Sequence, residues 1–252
     1  MDKKTKNFFD KISSSYSSRY SSKDKRNFFF NERLNFSLSN ESLENKSILD
    51  IGAGNGMIYW KTKHQNVNYY ACDISEKMMI EGGIPSQKRF QIKKDFPKEI
   101  IQKKYDFIFL LGLTAYLTKE EFDNYLKIIS QCSNPGTKVI ISYTLKNKFH
   151  KFCTSFLKKI YKIFVLLFKK ENNLVISSNI LLNRMDIKSC FKISRNLLVY
   201  DYRYHNFIPA PFDIILPNVI LKIIYFISSN WIGSNRLKFI STDLIIKYRY
   251  VD

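Results

Sequence analysis

The chain has 252 residues and only four widely spaced cysteines, which excludes a small disulfide-stabilised fold and gives no Cys-x-x-Cys zinc site, as expected in a reducing cytoplasm. The charged residues 1–11 lack the apolar run of a secretory signal, so export is not expected. No uninterrupted stretch of about 20 apolar residues is present, so we expect no transmembrane helix. The formal net charge of +19 has two explanations, a phosphate-bearing partner or a coding bias that places lysine throughout the chain.

Residues 1–46 precede the first strand and are predicted to form a helical cap over the main domain. The serine-rich stretch Ser13–Ser22 contains Tyr16 and Tyr20. Aromatic side chains are uncommon in spacers that stay flexible. We therefore expect this stretch to cover the edge of the domain where ligands bind.

A glycine-rich turn follows the first predicted strand. Ser47–Ile51 is a short apolar run typical of a buried strand, and Gly52-Ala53-Gly54-Asn55-Gly56 leads from it into a helix from Met57 to about His64. Such a turn brings bare backbone close to a ligand. The spacing does not fit a dinucleotide fingerprint, which needs a small residue at position 57, or a phosphate-binding P-loop, which needs a lysine followed by serine or threonine.

An acidic residue ends the second predicted strand. Val67–Cys72 is followed by Asp73, which lies 21 residues after the first glycine of the turn. A carboxylate at this place can accept two hydrogen bonds from a ribose diol. Ser75 is a suitable N-cap for a short helix, Glu76–Glu81.

Three further strands and a helix complete the predicted core, residues 47–145. The strands are Arg89–Lys93, the apolar run Tyr105–Leu111 and Lys138–Tyr143. A capping box at Thr118 begins a helix that runs to about Cys132. Alternating strands and helices predict a doubly wound parallel sheet.

Residues 146–252 are predicted to hold a basic helix, the late strands and an insertion. Residues 146–170 contain eight lysines and no acidic residue. This helix could lie on an anionic membrane or hold a lipid-linked ligand, or it could bury its apolar side against the core. The other predicted elements are the helix Ser178–Ile187, the sixth strand Phe191–Tyr204, the apolar helix Leu216–Ser229 and the seventh strand Ser241–Tyr250.

The two motifs together resemble those of a known family. Asp50-x-Gly52-x-Gly54-x-Gly56 resembles the first motif of class I S-adenosylmethionine (SAM)-dependent methyltransferases, and Cys72–Met78 resembles the second. The resemblance implies a single α/β domain over residues 1–252, with a Rossmann-like, seven-stranded, mostly parallel sheet. It also implies that the seventh strand lies antiparallel between the fifth and sixth, and that SAM is the cofactor.

The resemblance assigns roles to individual residues. It implies that Asp50 orders the glycine turn and the amino group of the donor, that Asp73 binds the ribose, and that Ile74 packs against adenine. Asp95 would meet the adenine amino group, although it follows a lysine where the family often has glycine, and a plain turn before Pro97 is the alternative. The residues expected to contact SAM are Tyr16, Tyr20, Asp50, Gly52, Ala53, Gly54, Asn55, Gly56, Asp73, Ile74, Asp95, Phe96 and Leu111.

Catalysis of methyl transfer needs alignment more than acid–base chemistry, because the donor is already activated. The fourth strand continues into Gly112-Leu-Thr-Ala-Tyr116 and lacks the Asp/Asn-Pro-Pro-Tyr of relatives that methylate amino groups. Tyr116 is therefore a candidate for a hydrogen bond to the acceptor, or simply a packed side chain. His205 is the first candidate for a general base, since neutral imidazole suits that role near pH 7. No metal site is expected.

These observations predict a SAM-dependent methyltransferase acting on a small-molecule, lipid or glycan-type acceptor, at oxygen. An RNA methyltransferase would use the positive surface, although no appended RNA-binding module is recognisable. A non-catalytic SAM-fold binding protein is the other alternative. The predicted location is cytoplasmic, with peripheral membrane contact through residues 146–170 as an open question.

Overall fold

The computed structural model describes residues 3–20, 27–148, 152, 155, 183–207, 217, 219–221, 223–224, 238 and 240–252. Within these residues seven strands form one sheet in the order β3-β2-β1-β4-β5-β7-β6. The strands are β1 Ser47–Ile51, β2 Asn68–Asp73, β3 Arg89–Gln91, β4 Tyr105–Leu110, β5 Ser133–Thr144, β6 Leu197–His205 and β7 Asp243–Tyr250.

The sheet is parallel except at β7. β1 pairs in parallel with β2 and β4, and β7 pairs antiparallel with both β5 and β6. This confirms the predicted seven-stranded Rossmann-like sheet with its seventh strand between the fifth and sixth. The strand order reverses between β1 and β4, and open sheets of this kind bind ligands in the crevice at that point.

Helices lie on both faces of the sheet. They are α1 Lys3–Tyr16, α2 Asn27–Leu38, α3 Met57–Thr62, α4 Glu76–Glu81, α5 Lys98–Ile101, α6 Lys119–Cys132 and α7 Ile187–Cys190, with 3₁₀ turns at Ser17–Tyr20, Ser86–Lys88 and Thr114–Tyr116. Both predicted caps are confirmed: the Ser75 hydroxyl accepts a hydrogen bond from the Met78 N–H, and Thr118 and Glu121 form a reciprocal capping box.

The alternation of side chains along β4 shows how the two cores form. Ile108 and Leu110 point into the larger apolar cluster, which includes residues of α6, whereas Phe107 and Phe109 point into the second cluster with residues of α2 and α3. A strand covered on both faces requires a continuous apolar sequence, which is why the run Tyr105–Leu111 could be recognised.

The predicted elements after β5 differ most from the structure. Residues 183–186 are not helical: Met185 forms a β-bridge with Leu145, and the helix starts after Asp186, whose carboxylate accepts the Lys188 N–H. β6 begins at Leu197 and not at Phe191, because the chain turns between α7 and the strand.

Several predicted elements lie wholly or largely outside the described residues. These are residues 178–182, most of the basic helix 146–170 and most of the apolar helix 216–229. In the part of the chain that is described, no helix is long and apolar enough to cross a membrane.

Candidate active site

A hydrogen bond joins the two sequence motifs at the tips of β1 and β2. The Gly54 N–H donates to Oδ2 of Asp73 at 2.8 Å, and the Ser75 N–H donates to Oδ1 at 2.8 Å. Asp73 is only 8% exposed. Each carboxylate oxygen can accept more than one hydrogen bond, so Asp73 keeps acceptor capacity for a ligand.

The glycines of the turn have conformations and surroundings that side chains would disturb. Gly52, Gly54 and Gly56 have φ values of 75°, 53° and 69°, in the left-handed region that favours glycine. A Cβ at Gly52 would lie 3.2 Å from Leu113, and one at Gly56 would lie 2.7 Å from Ile84. The turn therefore presents bare backbone, as a site for a closely bound ligand requires.

A cleft opens on the Asp73 side of the turn. Besides Asp73 and two glycines of the turn it is lined mainly by apolar and aromatic side chains. These are Phe9, Tyr16, Ile74, Met78, Ile92, Leu111, Leu113, Tyr116 and Tyr125. The flat, apolar lining beside one carboxylate suits an adenosine group.

A second cleft lies on the Asp50 side and shares Tyr16, Gly52, Gly54 and Leu111 with the first. Its distinct lining includes Asp50, Ala53, Asn55, Met57 and Arg33 of α2. The Arg33 guanidinium lies 5.3 Å from the centroid of the Phe30 ring. This cleft thus holds a carboxylate and a guanidinium, the pair of charges that complements an amino-acid zwitterion.

Burial changes the protonation of both carboxyl groups. It raises the pKa of Asp50 to about 7. The hydrogen bond that the Tyr69 hydroxyl donates at 2.6 Å opposes this rise, and the charge of Asp73 adds to it. Burial likewise raises the pKa of Asp73 to about 6, although the Ser75 and Gly54 N–H groups favour its charged form. A cationic or hydroxyl-bearing ligand would favour the charged form of each.

α1 covers the Asp73 cleft. Its Asp10 accepts a hydrogen bond from the Ser75 hydroxyl, at the start of α4. Its Phe9 ring packs edge-on against Tyr116 with centroids 5.1 Å apart. The helical cap predicted from residues 1–46 therefore lies over the motifs, and Tyr16 lines both clefts.

Not every predicted site residue lies at the clefts. Asp95 is exposed, and Phe96 packs in the core against Tyr125 with ring centroids 5.0 Å apart. Gly56 lines neither cleft but ends the turn as the N-cap of α3. The Tyr20 side chain lies outside the described part of the structure.

His205 is buried beside α2 and lines neither cleft. Its ring stacks on Phe29 at 4.5 Å, and Nε2 lies 2.7 Å from the Phe29 carbonyl oxygen, so the Nε2–H tautomer donates there. Burial lowers the pKa of His205 to about 3. The hydrogen bond to the Phe29 carbonyl acts in the opposite direction, and the positive charge of Arg33 lowers the pKa further. The imidazole is therefore neutral, and its structural contacts are with α2.

Arg33, Phe9, Met78 and Ile92 are site residues that sequence reasoning missed. α2 has no motif, and its charged residues are not arranged in any pattern that marks Arg33. Ile92 directly follows β3 and lies three residues before Asp95. The sequence therefore predicted a donor contact near this position but not Ile92 itself. Among the residues that the structure describes, no group of His, Cys, Asp and Glu could hold a metal ion.

Comparison with known proteins agrees with this geometry. A family model described as a methyltransferase domain matches residues 49–139, which span both motifs. No curated protein matches the chain.

Solved structures of methyltransferases have a similar fold. Magnesium protoporphyrin IX methyltransferase from Synechocystis PCC 6803, with bound S-adenosylhomocysteine (SAH), has a TM-score of 0.61 at 14% identity, over 99% of this chain and 100% of that chain. A putative methyltransferase of Haloferax volcanii, in complex with its activator, has a TM-score of 0.60 at 12% identity, over 97% and 98%. The N-methyltransferase NodS of Bradyrhizobium japonicum, also with SAH, has a TM-score of 0.54 at 10% identity, over 98% and 99%.

At these identities the structural likeness establishes the fold, which is that of class I SAM-dependent methyltransferases. Residues 49–139, with the two motifs, match a methyltransferase domain.

Proposed function

We propose that this methyltransferase binds SAM across the glycine turn and transfers the methyl group to an oxygen atom of a small-molecule, lipid or glycan-type acceptor. The observation that carries the donor part is the hydrogen bond from Gly54 to Asp73, with Arg33 and Asp50 on the other side of the same turn.

The residues of the two clefts fit the parts of the donor. Asp73 accepts hydrogen bonds from the ribose hydroxyls, and Ile74, Met78 and Ile92 enclose the adenine ring. Asp50 orients the amino group of the methionine moiety. SAM supplies a methyl group already activated by its sulfonium, so the protein must chiefly hold donor and acceptor in line.

Arg33 is proposed to bind the carboxylate of the methionine moiety. Its guanidinium lines the Asp50 cleft, and a Cβ placed on Gly112, at the end of β4, would lie 2.8 Å from its Nη1. The planar guanidinium can form two parallel hydrogen bonds to a carboxylate. A residue from outside the two motifs would thus complete the donor site.

The acceptor atom is proposed from the end of β4. Tyr116 lines the donor cleft, and Phe9 packs against its ring, so its hydroxyl is a candidate to hydrogen-bond the acceptor. The Asp/Asn-Pro-Pro-Tyr sequence used by relatives for amino groups is not at this position, which favours oxygen. The proposed role of His205 as a base stays a prediction, and it would have to act through Nδ1, since Nε2 donates to Phe29.

The proposal is tested with methyl-labelled SAM. Purified protein is incubated with the labelled donor and with lipid, glycan, small-molecule and RNA fractions of the source cell. We expect label in one of the first three fractions with wild type, and little or none with Asp73→Ala. Label found on nitrogen or carbon of the isolated product would refute transfer to oxygen.

The net charge of +19 supports RNA as a second candidate acceptor. RNA binding driven by this charge would weaken steeply with salt, which a gel-shift titration measures. Label confined to the RNA fraction would select this candidate over the first.

A further inference from the structure

Beside the two donor clefts lies a third cavity, a groove that contains none of the residues proposed to bind the donor or the acceptor. It has a volume of about 550 Å³ and lies between α6 and the segment that leads from residue 183 through α7 to residue 193. Its floor is apolar, formed by Leu117, Phe122, Leu126, Met185 and Ile193. The described residues alone therefore form a groove large enough for an organic ligand.

Positive charge predominates around this apolar floor. The four cationic side chains that line it are Lys119, Lys146, Arg184 and Lys192. Two carboxylates, Asp123 and Asp186, also line it, and Asp186 already accepts the Lys188 N–H as the cap of α7. An apolar floor surrounded by cations suits a ligand with an apolar body and an anionic group.

The groove and the donor cleft share one wall. In the segment Leu113–Leu117, Leu113 and Tyr116 line the donor cleft, whereas Thr114 and Leu117 line the groove. Asn183, on the far side of the groove, is hydrogen-bonded to this segment. Its backbone N–H donates to the Ala115 carbonyl at 2.7 Å, and its side-chain amide donates to the Leu117 carbonyl. A ligand in the groove therefore lies one chain segment away from the donor.

We propose that this groove binds an amphipathic oxyanion, that is, a phosphate or carboxylate on an apolar body, at a site separate from the donor cleft. The apolar body lies on the floor near Leu117 and Phe122, and the oxyanion meets Arg184 and Lys192.

The binding step is tested by calorimetry on the full chain with four probes: octyl phosphate, octanoate, octyl glucoside and inorganic phosphate. We expect octyl phosphate or octanoate to bind about tenfold or more tightly than octyl glucoside and inorganic phosphate. The double variant Arg184→Gln/Lys192→Gln should lose about tenfold of that affinity. The matched variant Lys98→Gln/Lys127→Gln, which removes two exposed charges outside the groove, should lose none.

Each other outcome overturns the proposal. Equal binding of octyl glucoside would show that charge has no part, and equal binding of inorganic phosphate would show that the apolar floor has none. Unchanged affinity in the Arg184→Gln/Lys192→Gln variant would place the ligand elsewhere. SAM is titrated into every variant, and unchanged SAM affinity shows that the fold and the donor site are intact.

Discussion

Arg33 and Asp73 are predicted to bind opposite ends of the donor. Variants of the two residues should therefore differ in their affinity for SAH and for an analogue that lacks the amino-acid end. Arg33→Met keeps an apolar stem over Phe29 and Phe30, whose ring centroids lie 5.8 and 5.3 Å from the guanidinium, and removes the charge. A hydrogen bond to a charged group contributes about 1.5–3 kcal/mol. At about 1.4 kcal/mol per tenfold, the affinity for SAH should fall about 10- to 150-fold.

The comparison ligand is 5′-methylthioadenosine, which has the adenosine and the sulfur but no amino-acid end. Arg33→Met should leave its affinity within about twofold of wild type, because no contact to Arg33 is lost. Asp73→Ala should weaken both ligands, since both have the ribose. Calorimetry measures all four affinities, and Arg195→Met, at an exposed turn, is the control. Equal losses of both ligands in Arg33→Met would refute the placement of the carboxylate.

Three further predictions concern pH and stability. The affinity for SAH should rise between pH 5.5 and 8 as Asp73 and Asp50, whose pKa values are raised to about 6 and about 7, become charged, and calorimetry should find only the part of the rise near pH 6 in Asp50→Asn. The pKa of His205 is about 3 in the folded chain and about 6.5 when unfolded, so on lowering the pH from 7 to 5 wild type should lose about 2 kcal/mol of unfolding free energy relative to His205→Gln. Urea titrations that run parallel for the two proteins would contradict this. Lys247→Met should cost about 1–3 kcal/mol in the same titrations, because the Ser39 carbonyl loses its donor at 2.6 Å, whereas the Glu41 carboxylate keeps Lys138 and Tyr200 as partners.

The parts of the fold that could be predicted from sequence depend on local signals. The turn Gly52–Gly56 and the cap at Thr118 are each specified by a few neighbouring residues, and the structure has both at the predicted positions. Asp73 could be related to the turn because the carboxyl ends of adjacent parallel strands meet at one edge of the sheet.

The start of β6 was mispredicted because the apolar residues just before it pack against the core without being part of the strand. Phe191 and Ile193 continue the apolar pattern of the strand, but they pack from a turn, and the Phe191 ring meets Tyr202 edge-on at 5.0 Å. Apolar spacing alone does not separate a strand from a turn that packs on the core. The groove beside α6 was missed for a related reason, since its cations come from three separate segments of the chain.

Arg33 could not be predicted because the placement of α2 depends on residues about 170 to 210 positions away along the chain. The Nε2–H of His205 donates to the Phe29 carbonyl, Arg203 lies 3.7 Å from the Glu32 carboxylate, and the Lys247 ammonium donates to the Ser39 carbonyl at 2.6 Å.

All three partners of α2 are on β6 and β7, at the antiparallel end of the sheet and away from the glycine turn. A buried ammonium is costly unless it is fully bonded, so Lys247 limits the positions that the end of α2 can adopt. The two strands at this end of the sheet therefore also set the position of the Arg33 guanidinium. Changes of sequence on β6 or β7 should thus alter the affinity for the amino-acid end of the donor before they alter that for its adenosine.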